Sequence, residues 1–257
     1  MRLFDSHCHL DFIAFSADRQ DVIQRAYDAH VRAIFVPGVS RQQSSHSAWL
    51  DDCQLIDIYR GFGLHPYFIE QHQSLDLQWL EQQLVANPQA VVGEIGIDMT
   101  CAEGNKQHDL FCRQVELACR YHRSIVLHHR KSQPELLRVI KSCHAQLPEV
   151  AGVIHAFSGS FEQAQEWLRL GFMLGVGGTI TYERARRTRQ ALSDSSLESL
   201  VLETDAPDMP ICGYQGQRNE PAMVNHINQS LADLHRRSVA DVAEITWQNA
   251  QRLFSRR

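Results

Sequence analysis

The 257-residue chain has no apolar stretch approaching the roughly 20 residues that cross a bilayer, and it opens on a strand-like run instead of a signal-peptide pattern. A cytosolic protein without membrane association is the expectation. Its seven cysteines are odd in number and scattered, with no Cys-x-x-Cys pair, which argues against a disulfide framework and a structural zinc knuckle. Basic charge is also short. The formal net charge is -5 with histidine neutral, so the surface as a whole does not attract polyanions and any nucleic acid must be held locally. No Gly-x-Gly-x-x-Gly follows the first apolar run, so the usual mark of an open dinucleotide-binding sheet is missing. No low-complexity linker, tandem repeat or long charge run breaks the chain, and residues 1–257 are expected to form one domain with no obligate protein partner.

What the chain does have is apolar, β-branched runs at residues 2–7, 32–37, 58–63, 90–95, 124–129, 151–156, 172–176 and 200–205. Between them lie stretches of helical periodicity: Asp18 to His30, Leu75 to Ala86, Gln107 to His122, Pro134 to Gln146 and Phe161 to Leu170, with one final region from Pro221 to Phe254. Alternating strand and helix implies a parallel sheet. Eight such units at this length predict a closed (β/α)₈ barrel of the TIM type, whose active sites sit at the C-terminal ends of the strands.

Metal-type residues fall at those ends. In an extended strand successive side chains alternate faces, so His7 and His9 point one way and Cys8 the other. Two imidazoles on one strand need only a few further ligands to close a divalent-metal site. Later runs end in Val91-Val92-Gly93-Glu94, Ile125-Val126-Leu127-His128, Val153-Ile154-His155 and Leu200-Val201-Leu202-Glu203-Thr204-Asp205. One His-x-His is weak evidence; five strand ends carrying the same chemistry are not. His65, in Gly63-Leu64-His65-Pro66, ends the third run at the same face and is placed to hydrogen-bond a substrate phosphate or to orient a ligand. Arg130 and Arg218 are candidate phosphate clamps, since guanidinium binds phosphate oxygens in pairs. For Arg218 the alternative is a salt-bridged start to the last helical region.

The segments Asp5-Ser6-His7-Cys8-His9-Leu10-Asp11, Gly63 to Pro66, Gly93-Glu94-Ile95-Gly96-Ile97-Asp98, His155-Ala156-Phe157-Ser158-Gly159, Glu203 to Pro207 and Arg218-Asn219-Glu220-Pro221 resemble the TatD family of metal-dependent hydrolases in order and spacing. Gly175 to Tyr182 with Glu203 to Pro210 resembles the family's YjjV branch in particular. The resemblance covers essentially the whole chain. It implies an amidohydrolase-like barrel with two divalent metal ions and DNase activity, including 3′ to 5′ exonuclease action, with single-stranded DNA ends as the expected substrate. Carried over by position, His7 and His9 with Glu94 and Asp205 would hold one metal, and Glu94 with His128 and His155 the second, Glu94 bridging. The pattern His-x-Arg selects His128 over the adjacent His129. The chain departs from the common pattern at Ser124, His129 and Met99, none of them a proposed ligand.

Such a ligand set suits a phosphodiester, because coordinated metals neutralise phosphoryl charge and acidify water. Asp205 then doubles as ligand and general base. Four imidazoles and two carboxylates suit zinc first, with manganese, cobalt or nickel close behind and magnesium less well served. The alternative function is hydrolysis of a small-molecule ester, amide or lactone on the same scaffold. A relic site is a third reading, and the complete ligand set argues against it. Arg184, Arg186, Arg187 and Arg189 form a basic cluster, read either as a solvated helix face or as a track for a DNA backbone. Cys112 and Cys119, seven apart, suggest core packing, and Phe157 is read as stacking a base or lining the pocket.

Overall fold

A computed structural model describes residues 1–254, and in it the eight apolar runs form eight strands. These are β1 (Leu3–Asp5), β2 (Val31–Val36), β3 (Asp57–Phe62), β4 (Val91–Asp98), β5 (Ile125–Arg130), β6 (Gly152–Ile154), β7 (Phe172–Val176) and β8 (Leu200–Leu202). They lie side by side in chain order, each neighbouring pair parallel. First and last meet just beyond their ends, where the Ser6, Asp205 and His9 amides donate to the Leu202, His7 and Ala206 carbonyls, each at 2.8 Å. Those bonds bring the sheet round into a (β/α)₈ barrel.

The surrounding helices are α1 (Arg19–Asp28), α2 (Arg41–Ser45), α3 (Asp76–Ala86), α4 (Gly104–Arg120), α5 (Gln133–Cys143), α6 (Phe161–Arg169), α7 (Arg186–Asp194), α8 (Val224–His235) and α9 (Val239–Phe254). Starts follow local chemistry: Ser160 caps α6 in a reciprocal pair with Gln163, and Pro134 sits in the first turn of α5. The final helical region expected over 221–254 is in fact two helices. Arg236 takes a φ of 51°, and this left-handed residue ends α8 before α9 begins.

Strand alternation divides the core. Phe4, Ala33, Phe35, Val91, Val126, Val153, Met173 and Val201 fill the barrel, while neighbours such as Leu3, Ile34, Val92, Ile125, Leu127, Ile154 and Leu200 face the helices. Trp247, Leu253 and Phe254 of α9 plug the end opposite the strand C-termini, with Phe254 stacked on Phe35 at 4.3 Å and on Phe4 at 5.5 Å.

Two breaks in that alternation aim the other end. Val91 faces in and Val92 out, so strict alternation would send Glu94 out. The pairing of β4 with β5 shifts between Val92 and Ile95, and Glu94 turns inward. Gly93 is required at the shift, because a Cβ there would lie 2.6 Å from that of Val126. Likewise Phe4 belongs to the interior and Cys8 to the helix-facing layer, so the phase changes between them and His7 and His9 face in.

Candidate metal centre

Glu94 is 1% exposed at the centre of a ring of histidines, and its two carboxylate oxygens face different sets. Oε2 lies 3.0 Å from His7 Nε2 and 3.6 Å from His9 Nε2. Oε1 lies 3.1 Å from His128 Nδ1, 3.2 Å from His65 Nε2 and 3.4 Å from His155 Nε2. Asp205 Oδ1 is 3.7 Å from both His7 Nε2 and His9 Nε2, which are themselves 3.3 Å apart. All six residues assigned to metal by resemblance therefore converge. His129 does not: its ring is beside the Gln133 side-chain amide at 3.4 Å, and burial lowers its pKa to about 4.

Outer groups lie beside several of the rings, although Nδ1 of His7, His9 and His155 makes no hydrogen bond among the described residues. Asp98 Oδ2 is 3.2 Å from His128 Nε2, and Glu203 Oε1 is 3.4 Å from His155 Nδ1. His65 Nδ1 accepts from the Tyr67 amide at 3.0 Å, so in the neutral ring the proton sits on Nε2 and is donated to Glu94. His65 thus holds the central carboxylate in place. Glu203 has room only because residue 175 is glycine, where a Cβ would meet Glu203 Oε2 at 2.3 Å. From outside the barrel, α4 steadies the same loops: Gln114 bonds both backbone groups of Leu64, and Gln107 both those of Asp98.

Electrostatics follow from burial and proximity. Burial raises the Glu94 pKa, but the adjacent imidazoles outweigh it and hold the carboxyl well below its ordinary range. His9 is driven well below its usual value by burial and by the neighbouring His7. Burial lowers His155 too, yet Asp205, Glu94 and Glu203 reverse that and raise it to about 10. Asp205 rises to about 6, chiefly through burial and against the pull of His155 and His7. Glu94 Oε2 makes no hydrogen bond among the described residues although His7 Nε2 lies 3.0 Å away. Three groups of three, His7 with His9 and Glu94, His7 with His155 and Glu203, and His65 with Glu94 and His128, each bring their ligand atoms within 4.8 Å of one another and fit a divalent ion.

These residues floor a cavity of about 630 Å³ that also holds Arg130, His129, Ser158, Thr179, Asp208 and Met209. Arg130 is exposed at its mouth and forms no ion pair among the described residues. Arg218 is elsewhere. It is tied to Asp18 at 2.7 and 2.8 Å, to Glu220 at 2.9 Å and to the Ala14 carbonyl, with its guanidinium over Phe15, as the salt-bridged reading expects and the phosphate-clamp reading does not. Phe157 is 2% exposed within the core and does not line the cavity. The aromatic wall comes instead from Phe12, Phe68 and Tyr67, the last 68% exposed, a set the sequence reading missed for want of any motif. Asp98 was missed as a functional residue although it ends a strand two positions past inward-facing Gly96. Cys119 packs against the core as expected, while Cys112 lies near His108 Nδ1 at 3.8 Å. No helix among the described residues is long and apolar enough to cross a membrane.

The chain is similar to several known proteins. An uncharacterized metal-dependent hydrolase of Escherichia coli K12, YjjV, is 39% identical over 258 residues, covering 99% of this chain and 98% of its own. The crystal structure of YjjV, a TatD homologue from the same strain, superposes with a TM-score of 0.93 over 100% of this chain and 99% of that one, at 38% identity. The 3′-5′ ssDNA/RNA exonuclease TatD of Pantoea vagans is 29% identical over 261 residues, covering 98% of this chain and 99% of its own. The family described as TatD related DNase matches residues 4–255, and the chain belongs to that family.

Proposed function

We propose that the protein is a divalent-metal-dependent phosphodiesterase that trims single-stranded DNA from its 3′ end, the whole chain acting as one catalytic domain. The observation that carries this reading is the division of Glu94, one oxygen facing His7 and His9 and the other facing His128 and His155, as a carboxylate bridging two ions requires. The exonuclease name of the Pantoea vagans relative supports the substrate. Zinc is the first choice of ion, since imidazole outnumbers carboxylate in the set.

Bound ions would supply Lewis acidity, neutralising phosphoryl charge and acidifying water. The remaining work falls to the side chains. Asp205, raised to about 6 and facing the cavity, accepts the proton of the attacking water. Asp98, Glu203 and His65 fix the rings and the carboxylate around it. Arg130 is free to take a phosphate oxygen at the mouth, and the wall of Phe12, Phe68 and Tyr67 offers a face for a base.

The test is cleavage of 5′-labelled single-stranded DNA by metal-stripped protein titrated with zinc, manganese or magnesium. Laddering from the 3′ end that needs metal and vanishes in Glu94→Ala is expected. No cleavage by the metal-loaded wild type, alongside hydrolysis of an ester or lactone panel, would refute the reading.

A further inference from the structure

Beside the cavity at the strand ends lies a second one of about 280 Å³, lined by Tyr182, Arg184, Ala185 and Pro210, and the two share Thr179 and Met209 as lining residues. The two cavities thus form neighbouring parts of one groove whose crest is Thr179 and Met209, reaching from the histidine cluster towards the segment entering α7. That segment is rigid. The Tyr182 hydroxyl donates to the Pro210 carbonyl at 2.7 Å, the Tyr182 amide to Thr179 at 3.2 Å, and Gly178 packs so tightly that a Cβ would come 2.7 Å from the Met209 carbonyl.

The basic cluster of the sequence is split by the fold. Arg187 bonds Gln163 at 2.9 Å and Arg189 bonds the Ile180 carbonyl. Arg184 is exposed, lies 4.9 Å over the Tyr182 ring, and forms no ion pair among the described residues with either adjacent Glu183 or Asp208 on the cavity rim. Arg186 is exposed and also forms no ion pair among the described residues, but of the four arginines Arg184 alone lines the second cavity, where it is held over an aromatic face. Guanidinium stacked this way is pre-organised, so it loses little freedom when it takes a phosphate.

We infer that this groove is a subsite for the backbone of a single-stranded nucleic acid, seating the nucleotides on the 5′ side of the scissile phosphate, with Arg184 on one of their phosphates. The inference rests on the phosphodiesterase reading and deepens it: a small ester would fill the first cavity and leave the second without a use. A polymer uses both.

Wild type, Arg184→Ala and Arg184→Glu, all metal-loaded, are compared on a single-stranded oligonucleotide long enough to fill both cavities and on thymidine 5′-p-nitrophenyl phosphate, which fills one. For the oligonucleotide, KM is expected to rise about tenfold in Arg184→Ala and further in Arg184→Glu with kcat held, and the salt dependence of KM to fall by about one phosphate contact. The short substrate should be unaffected. If wild type cleaves both substrates and both variants match it on the oligonucleotide, the subsite is refuted while the phosphodiesterase stands. If wild type cleaves neither, both fall together.

Discussion

Replacing Asp98 with Asn tests how His128 is aimed. Asp98 is 2% exposed; its Oδ2 faces His128 Nε2 at 3.2 Å, and its Oδ1 accepts from the Thr100 amide at 2.8 Å and hydroxyl at 2.6 Å. With the Nε2 proton given to Asp98, the lone pair of His128 is left on Nδ1, which faces Glu94 at 3.1 Å. Asparagine keeps the shape, removes the charge and turns one acceptor position into a donor, so either His128 or Thr100 loses its bond. A hydrogen bond to a charged acceptor contributes about 1.5–3 kcal/mol. At about 1.4 kcal/mol per decade, metal affinity on the His128 side should weaken about 10- to 100-fold, with the His7 and His9 side retained. Competitive chelator titration of the metal-stripped protein reads both affinities, and a circular dichroism melt checks that the fold survives. Two unchanged affinities, or equal weakening of both, would refute the positioning role.

Arg218→Ala is expected to leave oligonucleotide kcat and KM unchanged and to lower the melting temperature at neutral pH, because its partners are Asp18 and Glu220 and not the cavity. The Arg218 bond holds Asp18 down at about 2 from an ordinary 3.8, so its contribution is present above 3.8 and lost as pH falls towards 2. The melting difference from wild type should shrink over that window; lost cleavage with unchanged melting would restore the phosphate-clamp role. Phe254→Ala removes the ring stacked on Phe35 and Phe4 and should cost about 3–5 kcal/mol in urea denaturation without altering kcat. A cost below about 1 kcal/mol would show that α9 does not plug the barrel.

All eight strands were legible because their runs are short, β-branched and bounded by helical stretches, and parallel strands buried on both faces read as continuous apolar runs. That the histidines lie at strand ends was legible for the same reason, although the inward facing of His7 and His9 rests on a phase change after Phe4. The split of α8 from α9 was not, since Arg236 in a left-handed conformation leaves no mark in a pattern of apolar spacing. Between the two readings of Arg218 local pattern could not choose, since one of its ion-pair partners, Asp18, is 200 residues away in sequence.

The sequence alone determined the barrel, the set of metal-type residues and the family, since periodicity, order and spacing are one-dimensional properties. Only the tertiary structure decided which way Glu94 points, because alternation along β4 predicts the opposite face and a register shift against β5 overrides it. It also decided that His65 steadies a carboxylate, that Asp98 aims His128, and that Arg184 of the four clustered arginines lines the second cavity. Hydrogen-bond partners, ring tautomers and unpaired charges depend on which distant residues the closed barrel brings together, and local pattern carries no record of them.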